Sequence, residues 1–288
     1  MDNSKKISIL IPIYNRLEVT KEGLEFLYKS LEYYEKSEKN FLAFRIIVID
    51  DGSTDGSSDW ISNNYKDIHL LKGDGNLWWS GAINMGSRYA IETLNSDYLF
   101  LLNDDAIIKE DYFVNLQFEL ISKGNCIIGS NIFDIHTKKS WSSLMAFNRF
   151  TGVSRFISNE EKKPIKWVTG MGVLIPVQVI NTIGYWDQKN FPQYFGDSDF
   201  GIRASKAGFR VICCENLVLY NKTEYSSYKG TDVRSFFKSL NYKNKGSRYN
   251  LLIRLKFYRK HCVTPLWILT FFTYYLKYTL KTFIFRNL

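Results

Sequence analysis

The chain has 288 residues, of which 45% are hydrophobic and 16% are aromatic, so it can bury a sizeable core. Its four cysteines lack metal-ligand spacing and its three histidines form no HExxH pattern, which argues against a zinc site and for reduced thiols in a cytosolic protein. The net charge of +9 is uneven. Residues 229–288 hold 13 Lys and Arg and one acidic residue, whereas the rest holds 25 basic and 28 acidic residues. The basic tail therefore predicts an anionic partner: a membrane surface, a lipid phosphate or nucleic acid.

Short apolar runs at residues 7–13, 44–49, 68–71 and 98–102 predict four strands, the first with no signal peptide before it. Apolar residues at helical spacing predict a helix over residues 17–34, and shorter helices separate the later strands. This alternation is typical of a parallel α/β sheet. Beyond residue 106 the pattern is less regular. It predicts helices over 110–122 and 198–207, strands over 126–129, 166–175 and 209–213, and polar hairpins over 133–166.

Acidic residues directly follow two of the predicted strands. Asp50 and Asp51 end the second strand, and Asp104 and Asp105 end the fourth. In open α/β sheets ligands bind beyond the carboxyl ends of the strands, and paired carboxylates there are costly unless a cation meets them. Asp105 is therefore a candidate ligand of a divalent metal that carries phosphates. A polar turn with a helix cap accounts for the same residues equally well, so this stretch alone does not separate the two interpretations.

Four motifs in order carry a family resemblance: IPIYNR, VIDDGSTDGS, LLNDDA and FGDSDFGIRASKAGF. Together they resemble glycosyltransferase family 2, whose members are inverting, nucleotide-sugar-dependent enzymes, over about residues 5–220. The stretch GNLWWSGAIN resembles the branch of that family that builds bacterial cell-surface glycans. The resemblance implies a GT-A fold, which is an α/β, Rossmann-like, mostly parallel sheet flanked by helices, here followed by a helical basic and aromatic tail.

The resemblance also implies roles for matched residues in donor and metal binding. The donor-binding positions would be Pro12, Tyr14, Asn15, Asp51, Asn84 and Asp104. Asp51 would accept a hydrogen bond from the nucleotide base, and Tyr14 would pack on its ring. Asp104 would contact either the ribose or the metal. Asp105 would bind Mg²⁺ or Mn²⁺, which prefer oxygen ligands such as carboxylates and a diphosphate.

Asp197 matches the general base of the family, although the acid that commonly precedes the base is replaced here by Gly196. Asp199 is a rival base. Its structural interpretation is a carboxylate in the first turn of a helix, paired with Arg203 four residues later. The candidate acceptor contacts are Trp186, Gly170 and Asp199.

The predicted domains are a catalytic domain over residues 1–225 and a tail over residues 226–288. The catalytic domain divides into a donor half, 1–106, and an acceptor half, 107–225. In the tail, the stretch after Pro265 is rich in aromatic residues and has a narrow polar stripe of Thr270, Thr273, Lys277 and Lys281. This pattern favours an amphipathic helix at the membrane interface over a spanning helix. Packing of the same helix on the catalytic domain is the alternative.

The predicted function is metal-dependent transfer of a hexosyl or deoxyhexosyl group from a nucleotide sugar to a glycan or lipid-linked acceptor. The reaction would serve polysaccharide synthesis at the inner face of the cell membrane, with no nucleic acid partner. Two alternatives are a nucleotide-sugar-binding module without turnover and a nucleic-acid binder that uses the basic tail. The second alternative has no RNP, KH or zinc-finger pattern to support it.

Overall fold

The computed structural model describes residues 4–38, 40–161, 165–222, 233–241 and 243–283. Its first half alternates strands and helices: β1 Lys5–Ile13, α1 Leu17–Glu35, β2 Leu42–Asp50, α2 Ser57–Asn64, β3 His69–Lys72, α3 Trp78–Glu92 and β4 Tyr98–Leu101. The four strands pair in parallel in the order β3-β2-β1-β4. The four strand predictions are confirmed within two residues at each end, because an apolar run bounded by polar residues marks a strand clearly.

The second half adds more strands and three helices: β5 Ala106–Ile108, α4 Tyr112–Lys123, β6 Ile127–Asp134, β7 Ser140–Ser142, β8 Met145–Phe147, β9 Ser154–Phe156, β10 Lys166–Trp167, β11 Val173–Pro176, α5 Val177–Ile183, α6 Gly196–Lys206 and β12 Val211–Asn221. In the main sheet the order is β3-β2-β1-β4-β11-β6-β12-β5, with β7 beside β6, while β8, β9 and β10 form a small separate sheet. β11 is antiparallel to both of its neighbours, so the sheet is parallel in its first half and mixed in its second.

The single strand predicted over residues 166–175 is wrong. The chain forms β10 and β11 in different sheets, separated by residues 168–172. Gly172 has φ +66°, a left-handed conformation that interrupts a strand and that glycine adopts readily. Gly170 packs so closely on Trp79 that a Cβ at this position would lie 2.3 Å from the ring. The chain therefore bends around Trp79 before it joins the main sheet.

Helices cover both faces of the main sheet. On one face, the layer that contains Ile9 of β1 includes Leu24 of α1 and Leu116 of α4. On the other face, the layer that contains Leu10 of β1 includes Ile83 of α3 together with residues of α5 and α6. Adjacent residues of β1 thus belong to opposite layers, as the alternation of side chains along a strand requires. The carboxyl ends of β1, β2 and β4 are left free to form a cleft.

The basic tail contains α7 Val233–Leu240, α8 Leu251–His261 and α9 Leu266–Phe283. Ile253 and Phe257 of α8 share a third apolar cluster with Phe147, Phe191 and Ile202. A common core therefore attaches α8 to the rest of the protein. The predicted domain boundary between residues 225 and 226 lies outside the described residues.

The inner face of α9 packs on the protein, as the alternative interpretation of the tail requires. Trp267 and Phe271 contact the third cluster, and the buried Thr270 places its Oγ1 3.5 Å from the carbonyl oxygen of Phe150. The predicted polar stripe is therefore not a continuous solvent-facing stripe, because Thr270 faces inward. The side chain of Lys281 lies outside the described residues.

The outer face of α9 is apolar and exposed. The exposed fractions of Leu269, Phe272 and Leu276 are 63%, 66% and 61%. Their spacing of three and four residues puts them on one side of the helix. Across the described ranges, no helix has the length and hydropathy to span a bilayer.

Candidate active site

A cleft of about 470 Å³ opens at the carboxyl ends of β1, β2 and β4, where parallel sheets bind their ligands. Its lining includes four predicted donor-binding residues: Pro12, Tyr14, Asp51 and Asp104. The other residues that line it are Ile13, Arg16, Gly75, Trp78, Trp79, Ala82, Asn103, Gln193 and Gly246. A larger polar cleft of about 920 Å³ lies beside β12, but none of the predicted site residues lines it.

Tyr14 and Asn15 directly follow β1 and have different roles. The Tyr14 side chain lines the cleft and is 53% exposed, so its ring is available for stacking. Asn15 has φ +49°, and its Oδ1 accepts a hydrogen bond of 2.7 Å from the Thr54 N–H. Its own N–H donates to Ser53 Oγ at 2.9 Å. Asn15 therefore joins the end of β1 to the loop after β2 instead of lining the cleft.

Asp51 holds the loop at residues 73–78 that forms one wall of the cleft. Its carboxylate accepts hydrogen bonds from the N–H groups of Gly75 at 2.9 Å, Leu77 at 3.1 Å and Trp78 at 2.9 Å. Trp78 has φ +57°, which is a strained conformation for a bulky residue. The hydrogen bond from its own N–H to Asp51 Oδ2 holds Trp78 in that conformation. The predicted contact of Asp51 with the nucleotide base stays a prediction.

Arg16 bridges the two carboxylates at the end of β4. Its Nη1 lies 2.9 Å from Asp104 Oδ1, and its Nη2 lies 3.0 Å from Asp105 Oδ2. Burial raises the pKa of Asp104 to about 7, an effect that the Arg16 charge opposes and the Asp105 charge reinforces. No role is predicted for Arg16 from the sequence. Its position after β1 could have identified it, because β1 pairs in parallel with β4 and the residues that follow the two strands lie close together.

The residues at the end of β4 fit a divalent metal. Oδ1 of Asp105 is buried and has no hydrogen-bond partner among the described residues, so one hard oxygen ligand is available. Within the described ranges, no group of three or more His, Cys, Asp or Glu residues could hold a metal alone. Mg²⁺ typically binds through one or two carboxylates plus substrate phosphates and water. Asp105, with Asp104 beside it, would supply the protein part of such a site.

Asp197 lies in the first turn of α6 and is half-buried. Its Oδ1 accepts a hydrogen bond from the Ser198 N–H at 2.7 Å, and its Oδ2 accepts one from the Gly170 N–H at 3.3 Å. Burial raises the pKa of Asp197 above its ordinary value, against the effect of these hydrogen bonds. Trp79, which lines the cleft at the ends of β1, β2 and β4, also packs on Gly170, whose N–H binds Asp197. Asp197 itself does not line that cleft.

Position 196 has no room for the acid that is common in the family. A Cβ on Gly196 would lie 2.3 Å from Ser80 Oγ and 3.5 Å from the Trp79 ring. Ser80 Oγ itself donates a 2.6 Å hydrogen bond to the carbonyl oxygen of Phe191. A larger residue at 196 would have to break that hydrogen bond. The glycine is therefore required by packing against α3.

Asn84 and Trp186 are buried and already have protein partners. Asn84 Nδ2 donates to the Trp186 carbonyl oxygen at 2.9 Å and to Gln188 Oε1 at 2.7 Å, and its Oδ1 accepts from the Trp186 N–H at 2.9 Å. The Trp186 ring stacks on Phe200 with a centroid distance of 4.1 Å. Asn84 thus supports the Trp186 loop, and neither side chain lines the cleft at the ends of β1, β2 and β4.

Asp199 is fully buried between two cations and a histidine. Its carboxylate lies 2.8 Å from Arg203 Nε, 2.7 Å from Lys260 Nζ and 2.8 Å from His261 Nε2. The pairing with Arg203 predicted as the structural interpretation is confirmed. With no exposed surface, the Asp199 side chain has no room to contact an acceptor in this structure. It links α6 to α8 instead.

Asn103, Gln193 and Gly246 line the cleft but are not among the predicted site residues. Asn103 Oδ1 accepts a 3.3 Å hydrogen bond from the Trp79 indole N–H, and Gln193 Oε1 accepts a 3.2 Å hydrogen bond from the Trp79 backbone N–H. Asn103 directly precedes Asp104 in the LLNDDA motif, and this position could have identified Asn103 as a site residue. Gln193 and Gly246 come from distant segments, and nothing local marks them.

Residues 8–182 match the family model described as Glycosyl transferase family 2. Among curated proteins, the chain is 27% identical over 174 residues to the low-salt glycan biosynthesis hexosyltransferase Agl10 of Haloferax volcanii. The alignment covers 59% of this chain and 56% of that protein, so the chain spans about half the length of this relative.

Two solved structures have a similar fold. The mannosyltransferase PcManGT from Pyrobaculum calidifontis, in complex with GDP-Man and Mn²⁺, has a TM-score of 0.59 at 13% identity, covering 93% of this chain and 68% of that chain. S. aureus TarS 1-349 in complex with UDP-GlcNAc has a TM-score of 0.53 at 13% identity, covering 92% and 79%. These likenesses confirm the predicted GT-A fold.

Proposed function

Because the chain belongs to glycosyltransferase family 2, we propose that it is an inverting, metal-dependent enzyme acting on a nucleoside diphosphate sugar. The sugar, a hexose or deoxyhexose, passes to a hydroxyl group of a glycan or lipid-linked acceptor in surface polysaccharide synthesis. The observation that carries the proposal is the cleft at the ends of β1, β2 and β4. It combines an exposed aromatic ring, Tyr14, with the buried carboxylate of Asp104, and the unpartnered oxygen of Asp105 lies beside that carboxylate.

The residues that line the cleft or lie beside it suit the two parts of a donor. Pro12 and Tyr14 bind the nucleotide base beside the loop that Asp51 holds in place. Asp105 would hold Mg²⁺ or Mn²⁺ against the diphosphate, and the ion would stabilise the charge that develops on the leaving group. Asp104 beside it would contact the ribose or the same ion. PcManGT, which has a similar fold, is a complex with GDP-Man and Mn²⁺, and this supports a divalent ion in the present protein.

Asp197 is the proposed general base. It is half-buried, and its carboxylate accepts only backbone hydrogen bonds among the described residues. A raised pKa makes its carboxylate a stronger base than an exposed one. It takes the proton of the acceptor hydroxyl as that oxygen attacks the anomeric carbon, while the diphosphate leaves from the opposite side. One displacement without a covalent intermediate inverts the configuration.

The acceptor and the location are proposed from the tail and from the curated relative. The Haloferax volcanii relative is a glycan biosynthesis hexosyltransferase, which supports a glycan acceptor here. The exposed apolar face of α9, in a tail of strongly positive charge, suits the surface of an anionic membrane. We therefore propose a peripheral enzyme on the cytoplasmic face of the membrane, where lipid-linked acceptors are accessible.

A donor screen followed by a transfer assay tests the proposal. UDP-, GDP- and dTDP-sugars are first compared by thermal shift with and without Mn²⁺. The donor with the largest shift is then incubated with membrane lipid extracts, and release of the nucleoside diphosphate is measured. Metal-dependent stabilisation followed by release above the no-enzyme rate is expected. Stabilisation without any release would identify a binding module that lacks turnover, and no stabilisation by any donor would contradict the proposal as a whole.

A further inference from the structure

We propose that the turn at residues 243–250 of the tail forms a wall of the donor cleft and contributes Lys245 to binding of the donor diphosphate. The tail is then part of the donor site and not only an attachment to a membrane. This inference deepens the proposed function and rests on it. It begins from Gly246, a tail residue that lines the same cleft as Tyr14, Asp51 and Asp104.

Gly246 reaches the cleft through contact with Trp78. A Cβ built on Gly246 would lie 3.4 Å from the Trp78 ring, which is ordinary van der Waals contact. The backbone of Trp78 is fixed in turn by its hydrogen bond to Asp51. The tail turn therefore packs on the loop that shapes the cleft. Trp78 of that loop connects Gly246 to Asp51, a predicted donor-binding residue.

The turn is held in one conformation by the fully buried Asn250. Its Nδ2 donates to the carbonyl oxygens of Asn241 at 3.1 Å and Asn244 at 2.9 Å. Its Oδ1 accepts from the N–H groups of Leu252 at 3.0 Å and Ile253 at 3.1 Å, which caps α8. One side chain thus ties the turn to the helix that the third apolar cluster attaches to the protein, so Gly246 occupies a defined place.

The charges around the cleft favour further cations. Asp51, Asp104 and the neighbouring Asp105 face one arginine, Arg16, which is already paired with two of them. A nucleoside diphosphate brings additional negative charge, and burial of like charges without cations is costly. A divalent metal offsets part of that charge. Among the described residues that line the cleft, Arg16 is the one lysine or arginine, and the tail turn beside Gly246 carries three more exposed cations.

Lys245 is the cation next to Gly246 in the chain. Lys243, Lys245 and Arg248 are exposed and lie within three residues of Gly246. Lys245 directly precedes Gly246, and its ammonium group has no ion-pair partner in the part of the chain that the structure describes. Charge complementarity between this cation and the diphosphate is the basis of the assignment.

The test compares two charge reversals in the tail of the full-length protein. Binding of UDP, GDP and dTDP in the presence of Mn²⁺ is measured by calorimetry at low ionic strength for wild type, Lys245→Glu and Lys277→Glu. The control residue Lys277 is exposed on α9 and does not line the cleft. Lys245→Glu should weaken the affinity of the better-bound nucleotide about three- to tenfold, an effect that shrinks with added salt, whereas Lys277→Glu should leave it unchanged.

A second pair of variants tests the wall itself. Gly246→Trp should lower nucleotide affinity about tenfold or more, because a bulky side chain must enter the cleft or displace Trp78. Gly246→Ala should bind like wild type, because its Cβ has room. If wild type binds a nucleotide but Lys245→Glu and Gly246→Trp bind it equally well, the tail wall is refuted and the proposed function stands. If wild type binds no nucleotide, both proposals fail.

Discussion

His261 of α8 places its Nε2 2.8 Å from Oδ1 of Asp199 on α6, two residues from the proposed base Asp197. Burial lowers the pKa of His261, so its ring is neutral near pH 7 and donates the Nε2 hydrogen to the carboxylate. The tail is thereby joined to the helix that carries the base. A deletion of the whole tail would remove this contact together with any membrane attachment, so point variants separate its roles better than truncation.

Substitution of Asp199 by Asn should destabilise the fold in a pH-dependent way. Burial raises the pKa of Asp199, but the His261 hydrogen bond and the Arg203 and Lys260 charges outweigh it and lower the pKa to about 2. A lowered carboxyl pKa adds stability that is complete above the unfolded-state value and is lost as the pH falls toward the folded value. We expect the free energy of unfolding of Asp199→Asn to be about 2–5 kcal/mol below that of wild type at pH 7. This difference between the two proteins should become smaller as the pH falls from about 4 to about 2.

Asp187→Asn is the matched control for this measurement. Asp187 pairs with the same Lys260 at 2.8 Å but is partly exposed, so its loss should cost about 1 kcal/mol or less. Chemical denaturation across the pH range gives both values. Equal losses of stability in the two variants would show that the buried cluster has no special role.

Asp197→Asn should remove transfer while leaving donor binding nearly intact. The substitution keeps the shape of the side chain but removes the base, so turnover should fall about 10²- to 10⁴-fold. Nucleotide affinity with Mn²⁺ should stay within about twofold of wild type, because Asp197 does not line the cleft that holds the proposed donor. Release of nucleoside diphosphate and calorimetric binding measure the two effects. Turnover at the wild-type rate would rule out Asp197 as the base.

Asp105→Asn should uncouple donor binding from the metal. One buried oxygen of Asp105 lacks a partner among the described residues, and an amide cannot supply the same negative ligand. Thermal stabilisation of wild type by UDP or GDP should depend on Mn²⁺ and disappear with EDTA. The affinity for the nucleotide in the presence of Mn²⁺ should fall at least about tenfold in the variant. Asp111→Asn is a suitable control, since Asp111 is exposed and its side chain does not cap α4. Mn²⁺-dependent binding of wild-type strength in Asp105→Asn would exclude the metal role.

The outer face of α9 should mediate binding to anionic vesicles. A double variant, Phe272→Ser with Leu276→Ser, removes two exposed apolar side chains and should weaken co-sedimentation with phosphatidylglycerol vesicles about tenfold or more. The matched control is Phe118→Ser with Ile121→Ser on α4, where the exposed fractions are 61% and 62%. Equal binding by both double variants would place any membrane contact elsewhere.

The predicted strands and helices that agree best with the structure are those whose sequence patterns involve only neighbouring residues. The runs in β1, β2 and β4 and the helical spacing of α1 are each explained by a few neighbouring residues, so the donor half could be predicted closely. The stretch at residues 166–175 could not, because its interruption depends on the close packing of Gly170 on Trp79, which is far away in sequence. The partners of Asn84 and Trp186 come from other segments, so their structural roles could not be predicted locally. The spacing predicted the pair of Asp199 with Arg203, but not its contacts with Lys260 and His261 of α8.

The sequence by itself determined the family, the order of strands and helices in the donor half, and the acidic residues at the ends of β2 and β4. Those features are encoded in apolar runs and short motifs, which are local. Only the tertiary structure decided that Arg16 bridges Asp104 and Asp105, that Asp199 holds the tail, and that Gly246 lines the donor cleft. These relationships join residues that are far apart in the sequence, and the physical reason is that burial and charge pairing are decided by packing between segments, which no local pattern contains.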